Sequence, residues 1–395
     1  MLIIIRGLSI LEMMLTLLKT LFPPLLSLAI LILGNGLLNT FVPVRLEMEG
    51  YSATLIGIVV SSLYLGILIG SLRTTRWISK IGHIKAFIVF TAILASVTYA
   101  QSFWIHIGYW SFLRILSGIS LGGLFIVIES WLLMQAPPNF RSAILSIYVA
   151  IFYASLSLGQ LLINLSDPMT IFPFCIITAL FVISILPICI VSVSQPPLSE
   201  PVRLSTLQLF RLSPLGFIGG VTSGIILATV HGLVPVYAKE TGMSLSEIGT
   251  FMAILIFGGF SLQWPMGFWA DRVNRRYVLN MVNLITALLG ILLVQLGPIS
   301  PTLLLILAWL FGGFSFTVYP LSMAYACEKA KEEQIVALTG GFVLSYGIGA
   351  VAGPAIAPIA MQIFGPSGLF YFISLICLIL CLFGLKTPAP AILDE

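Results

Sequence analysis

The chain of 395 residues is 59% hydrophobic and 8% charged, with a formal net charge of +4, where a soluble domain carries about 25% charged residues. That balance excludes a soluble fold, and the basic surplus sits in short loops between apolar runs, where it sets orientation across a bilayer and says nothing of nucleic acid. The five cysteines (Cys175, Cys189, Cys327, Cys377, Cys381) have no C-x-x-C spacing and read as small buried hydrophobes.

In chain order, residues 1–21 are interrupted by Arg6, Glu12 and Lys19 and read as a cytoplasmic or interfacial segment too charged to span. Met13 or Met14 is an alternative start, and no small-residue cleavage site marks a signal peptide. Cutting the remainder at its charged, Pro-rich and Gly-rich breaks leaves twelve apolar runs near the length of about 20 residues that a spanning helix needs. They cover approximately 22–43, 52–73, 84–104, 107–134, 141–164, 170–192, 212–237, 247–269, 277–297, 301–326, 334–362 and 367–385. The expected fold is an all-α membrane protein of twelve transmembrane helices.

Fifteen of the eighteen basic residues fall on the side shared by the two termini, including Arg73, Arg76, Lys80 and Lys85 after the second span and Arg272, Arg275 and Arg276 after the eighth. Only Arg45 and Lys239 lie opposite, so both termini are expected in the cytoplasm. A stretch rich in Pro, Ser and charge (Pro196, Pro197, Glu200, Pro201, Arg203) divides the spans six and six. It reads as a cytoplasmic linker over 194–211 between bundles at 22–193 and 212–386, followed by a tail at 387–395.

The two bundles repeat each other. A shift of 192 residues lays Val42-Pro43-Val44 on Val234-Pro235-Val236, Gly50 on Gly242, Ser52 on Ser244, Ile56-Gly57 on Ile248-Gly249 and Gly66 on Gly258 without a gap. After the eighth span comes Gly267-Phe268-Trp269-Ala270-Asp271-Arg272-Val273-Asn274-Arg275-Arg276. This resembles the G-x-x-x-D-R-x-G-R-[RK] signature of the major facilitator superfamily, with Asn274 where glycine is usual. The corresponding first-half loop keeps Arg76, Lys80 and Gly82 but has Ser79 at the acidic position. Such a cluster can hold a cytoplasmic interface shut and release it in another state, and without the acid the first copy is expected to rely on packing and hydrogen bonds.

In the fourth span, Arg114-Ile115-Leu116-Ser117-Gly118 resembles a second motif of the same superfamily, R-x-x-x-G. The resemblance implies a role for Arg114 in substrate binding or proton coupling. Alternatively the side chain snorkels to the outer interface. Glu129 lies fifteen residues further along, about 22 Å away and too far to pair with it. Its string Glu129-Ser130-Trp131-Leu132 is similar to the bacterial YcaD-like branch of the superfamily. Glu129 reads equally as a proton site or as an acceptor for the cytoplasmic loops.

The resemblance implies a central cavity lined by the first, second, fourth and fifth spans and their counterparts. The polar residues on those spans are Asn35, Asn39, Tyr64, Arg114, Gln160, Asn164, His231, Gln263, Tyr319 and Tyr346. Asn35 with Asn39, and Gln160 with Asn164, are spaced i, i+4 and are expected to share a face. Any one of these amides reads equally as glue between helices; as a set they favour a cavity. His231 joins Arg114 and Glu129 as a candidate for proton coupling. In the fifth span Gly159-Gln160 stands where the family's antiporter motif has Gly-Pro, whereas Gly353-Pro354 in the eleventh resembles that motif and reads as a packing and bending device.

With no H-E-x-x-H, no Walker-type phosphate loop and no assembling Ser/His/Asp set, the sequence points away from an enzyme or ATP-driven pump. The expectation is a secondary active transporter of the inner membrane that moves a small solute by alternating access, driven by protons. An uncoupled facilitator, or a sensor or assembly factor that kept the fold, are the alternatives. No metal or cofactor is expected beyond a proton or sodium gradient, and the expected partners are lipid and a small-molecule substrate, with the chain a monomer. Arg114 favours a solute bearing an acidic group.

Overall fold

The computed structural model describes residues 2–135, 141–190, 210–328 and 332–386. The expected linker lies outside these residues except for positions 210 and 211, and the tail at 387–395 lies outside them entirely. A bilayer offers no water to backbone N–H and C=O groups, so an apolar run satisfies them within one helix. The helices are α1 (Leu2–Met48), α2 (Ala53–Ile81), α3 (His83–Ala100), α4 (Ile107–Gln135), α5 (Arg141–Leu161), α6 (Phe172–Ile183) and α7 (Leu186–Ile190). After the linker come α8 (Pro214–Glu240), α9 (Leu245–Ala270), α10 (Arg275–Leu296), α11 (Pro301–Glu328), α12 (Glu332–Phe364) and α13 (Gly368–Lys386). Among the described residues twelve stretches are long and apolar enough to cross a membrane, at the twelve places expected.

Two details differ from the sequence reading. The sixth span, expected as one helix, breaks between α6 and α7, because Pro187 has no N–H to give the carbonyl of Ile183, where α6 ends. Of the cysteines expected to be buried, Cys175 and Cys189 on this span are exposed and Cys327 is intermediate, while Cys377 and Cys381 are buried. A thiol is as tolerable against lipid as a small alkyl group, so a span's outer face accepts it.

The repeat is visible in backbone detail. Gly50 has φ 83° and Gly242 φ 87°, the left-handed conformation that favours glycine after a helix end. Around the first, Gly50 N–H donates to Glu47 and Tyr51 N–H to Leu46; around the second, Gly242 N–H donates to Lys239 and Met243 N–H to Ala238. Each bond maps onto its counterpart at the 192-residue shift. Ser244 then starts α9 with a capping box closed by Glu247. The first copy lacks that acid: Leu55 stands at the equivalent place.

The chain divides into two compact units, residues 1–38 with 66–200, and residues 39–65 with 201–395. In the first unit α3 packs on α4 and α6, and α4 on α5. Gly66 of α2 sits against the backbone of Ile115 and Gly118 on α4, leaving no room for a side chain. In the second, α8 packs on α12, α9 on α11 and α10 on α13, and Gly258 of α9 meets the Trp309 carbonyl of α11 in the same way. Small residues at such crossings let helices gain dispersion contacts that lipid cannot outbid. The second unit takes in residues 39–65 because they pack on α8 and α12. Gly57 lies against Pro354 and Pro358, Val60 against Gly232, and Gln362 Nε2 donates to Thr54 Oγ1 at 2.8 Å.

Candidate solute site and loop clamps

Polar groups on the spans of the first unit are mostly drawn inward. Arg114 is 2% exposed and Gln160 fully buried, the latter with its amide turned to the Leu156 carbonyl of its own helix. The Arg114 side chain is enclosed by protein, which is the cheaper place for a guanidinium at membrane depth. Asn35 is also buried, and its Oδ1 has no hydrogen-bond partner among the described residues. Asn164 departs from the expected pairing with Gln160. The helix α5 ends at Leu161 and passes into a 3-10 turn over Leu162–Leu165, so the i, i+4 relation fails. Asn164 is exposed there and donates to the Leu161 carbonyl.

The second unit holds the others. Asn39, four residues beyond Asn35, is half-buried, as are His231, Gln263, Tyr319 and Tyr346, while Tyr64 is buried. The structure brings together Tyr319 and Tyr346, edge to face at 5.3 Å, with Phe342 against Tyr319 at 5.2 Å. His231 stands edge-on to Phe316 at 5.4 Å, and its Nε2 has no hydrogen-bond partner among the described residues. A separate cavity of about 270 Å³ lies between α9 and α11, lined by Met243, Glu247, Thr250, Phe251 and Pro301 among others, and holds none of the expected site residues.

The signature loop of the second half is a set of clamps. Asp271 caps α9, and its carboxylate meets Arg275 Nη2 at 3.2 Å, largely in the open. Arg275 also donates to the Ala324 carbonyl of α11 at 3.4 Å. Arg276 donates from Nε to Gly384 at 2.7 Å and from Nη2 to Leu385 at 2.8 Å, placing a cation on the unsatisfied carbonyls that end α13. Arg272 stacks on Phe268 at 3.2 Å. Asn274 starts α10 and accepts the Arg276 N–H on its side chain at 3.0 Å, so the departure from glycine supplies a helix cap. Among the described residues Gly267 is not at a helix crossing: a side chain at that position would meet none of them within 4 Å.

In the first-half loop Gly82 keeps the left-handed conformation, φ 81°. Lys80 and Ser79 are exposed; the Arg76 side chain lies outside the described residues. His83, at the position matching Arg275, is 1% exposed, and its Nε2 lies 3.2 Å from Ser130 Oγ on α4. Ser130 and Ala324 are 194 residues apart, so the two loops grip equivalent places on the fourth span of each half. From the fourth span onward the register has moved by two residues, seen again in Gly118 with Gly312 and Gly159 with Gly353.

That register exposes a group the sequence reading missed. Phe125 of α4 meets Phe152 of α5 at 5.7 Å, the counterpart of Tyr319 with Tyr346. Phe152 also touches Tyr148 at 6.4 Å and Tyr153 at 5.5 Å. Tyr148 lies within electrostatic reach of Glu129, which is exposed, while the four rings are half-buried. A search at a shift of 194 as well as 192 would have found the rings from the sequence.

The family model of the Major Facilitator Superfamily matches residues 25–260 and 216–394. Over 374 residues the chain is 32% identical to an uncharacterized MFS-type transporter YcaD of Escherichia coli O45:K1, covering 92% of this chain and 96% of that one, and equally to its counterpart in E. coli O9:H4. Among solved structures, the nucleoside transporter NupG superposes with a TM-score of 0.78 at 15% identity, over 94% of this chain and 100% of that one. A D-xylose-proton symporter superposes with a TM-score of 0.75 at 14% identity, over 93% and 98%.

Proposed function

The chain belongs to the major facilitator superfamily of membrane transporters, and from that premise we propose that it is a secondary transporter of the inner membrane that moves a small solute by alternating access, driven by protons. The observation that carries the reading is the way α1 and α2 are divided. Each changes allegiance partway along its length, at residues 38–39 and 65–66. The segment around the Gly50 turn is then held by α8 and α12 through Thr54, Gly57 and Val60. By the distribution of basic residues that turn faces outward, so this contact belongs to the outer ends of the spans. Alternating access between parallel repeats related by an axis along the membrane normal would break and remake this contact.

The loop clamps support the same reading. Arg275, Arg276 and His83 fix the spans of their own half to one another, which favours movement of each half as a body. Arg114, Glu129 and His231 are the ionisable groups within the spans through which a proton gradient would act. The structural neighbours, one a nucleoside transporter and one a D-xylose-proton symporter, show how varied the solutes on this fold are; at such identities they share the fold alone.

The test is transport in proteoliposomes enclosing a pH-sensitive dye, screened over nucleosides, sugars, amino acids, organic acids and organic amines. Solute-dependent proton movement that an uncoupler abolishes is the expected result. Solute entry indifferent to the proton gradient would replace this reading with a facilitator.

A further inference from the structure

The two halves carry the same aromatic scaffold, and the repeat supplies its own control. In the second half the position matching Glu129 is Met323 and the position matching Tyr148 is Phe342. There Met323 and Tyr319 pack against a core of Ala326, Leu338 and Phe342, with Phe342 fully buried. That copy carries no acid; its phenols, Tyr319 and Tyr346, stand where the first half has Phe125 and Phe152. In the first half the matching places hold a carboxylate and a phenol, Tyr153 replaces Gly347, and none of the rings is fully enclosed. If the scaffold served packing alone, the version without a carboxylate would suffice at both places, and an acid within a span is expensive to keep. Among the described residues the ion pairs are Arg45 with Glu49 and Arg275 with Asp271. Neither uses Glu129.

Resting on the transporter reading above, we propose that Glu129, Tyr148, Phe152 and Tyr153 form the binding site for an organic cation, an amine or quaternary ammonium or phosphonium compound with an apolar body. The chemistry is complementary on both counts. The carboxylate offsets the ligand's charge, and ring faces attract a cation through their quadrupoles while covering its apolar groups. On the antiparallel pair α4 and α5, Glu129 stands level with Tyr148 and Phe125 level with Phe152, so the rings continue from the carboxylate toward the middle of the membrane. The site therefore accepts a ligand with its charge at one end and its apolar body at the other. Arg114 is enclosed near the far end of α4, about 22 Å away along the helix, so this site favours a cationic solute where Arg114 on its own had suggested an acidic one.

The test uses the full-length protein in nanodiscs and two probes, tetraphenylphosphonium and the smaller benzyltrimethylammonium, with tetraphenylborate as an anion shaped like the first. Saturable binding of at least one cation is expected, weakened about tenfold or more by Glu129→Gln and less by Glu129→Asp. Phe152→Leu should weaken it about three- to tenfold, and Met323→Leu at the mirror position should leave it unchanged. Each variant is required to remain monodisperse, and Glu129→Asp and Phe152→Leu keep the test decisive if Glu129→Gln does not fold. Absence of saturable cation binding, cation binding indifferent to Glu129→Gln, or displacement by tetraphenylborate as strong as by the cations would overturn the proposal. Failure of the transporter reading is seen separately, as a single fixed distance between spin labels at positions 54 and 362, a measurement that needs no ligand.

Discussion

Arg275 and Arg276 are neighbours in one motif and do unequal work. Arg276 makes two short bonds to the end of α13, and charge-assisted hydrogen bonds contribute about 1.5–3 kcal/mol each at most. Arg275 makes one long bond and an ion pair whose carboxylate is 70% exposed, worth about 0–1 kcal/mol. Thermal unfolding in detergent should therefore show a drop of about 2 kcal/mol in apparent stability for Arg276→Ala and less than half that for Arg275→Ala; the reverse order would show that the exposed pair carries the loop. The motif itself was legible because Gly, Asp and Arg recur at fixed spacing. What each arginine grips was not, since Gly384 and Ala324 are distant in sequence and offer only carbonyls. The Gln160 and Asn164 pairing failed for a local reason: spacing assigns faces only while the helix lasts, and α5 stops between them.

Helix crossings give a sharper contrast at the next scale. At Gly66 and Gly258 an added methyl would collide with backbone, whereas at Gly267 it would meet none of the described residues. Gly258→Ala should lower the apparent melting temperature, because a carbonyl cannot move aside as a side-chain end can. Gly267→Ala should hold it or raise it by the helix propensity gained, about 0.5–1 kcal/mol. A loss of transport in a Gly267→Ala variant of undiminished stability would place its close packing in a second conformation. At the two turns, Gly50→Ala and Gly242→Ala should each cost about 1 kcal/mol, by equal amounts, since the turns share their backbone bonds; a marked inequality would mean that neighbours and not the left-handed backbone set the cost. Element existence was readable throughout, because twenty-residue apolar runs have few alternatives in a bilayer. The break at Pro187 and the change of register from 192 to 194 were not drawn from the sequence, though both leave marks in it.

For the molecule as a whole, we propose from the distribution of basic residues that the Gly50 and Gly242 turns lie on the outer side and the signature loops in the cytoplasm. Single cysteines placed at Glu49 and at Arg272 in a cysteine-free background test this. A membrane-impermeant maleimide added to intact cells should label the first and spare the second, and the opposite pattern would invert the topology. Two bundles and their parallel repeat were apparent from Pro and Gly falling in one register. That residues 39–65 pack with the second half was not, because each half's sequence reads as six complete spans and the allegiance of a helix end depends on long-range contacts.

Alternating access is tested most directly by electron–electron resonance distances between spin labels on Thr54→Cys and Gln362→Cys in lipid nanodiscs. The structure joins these positions by a 2.8 Å hydrogen bond, so a short-distance population is expected. The account predicts a second, longer population whose share changes when pH or a bound cation changes. One narrow short distance under every condition would mean that the contact between α2 and α12 does not open, and would contradict the central claim.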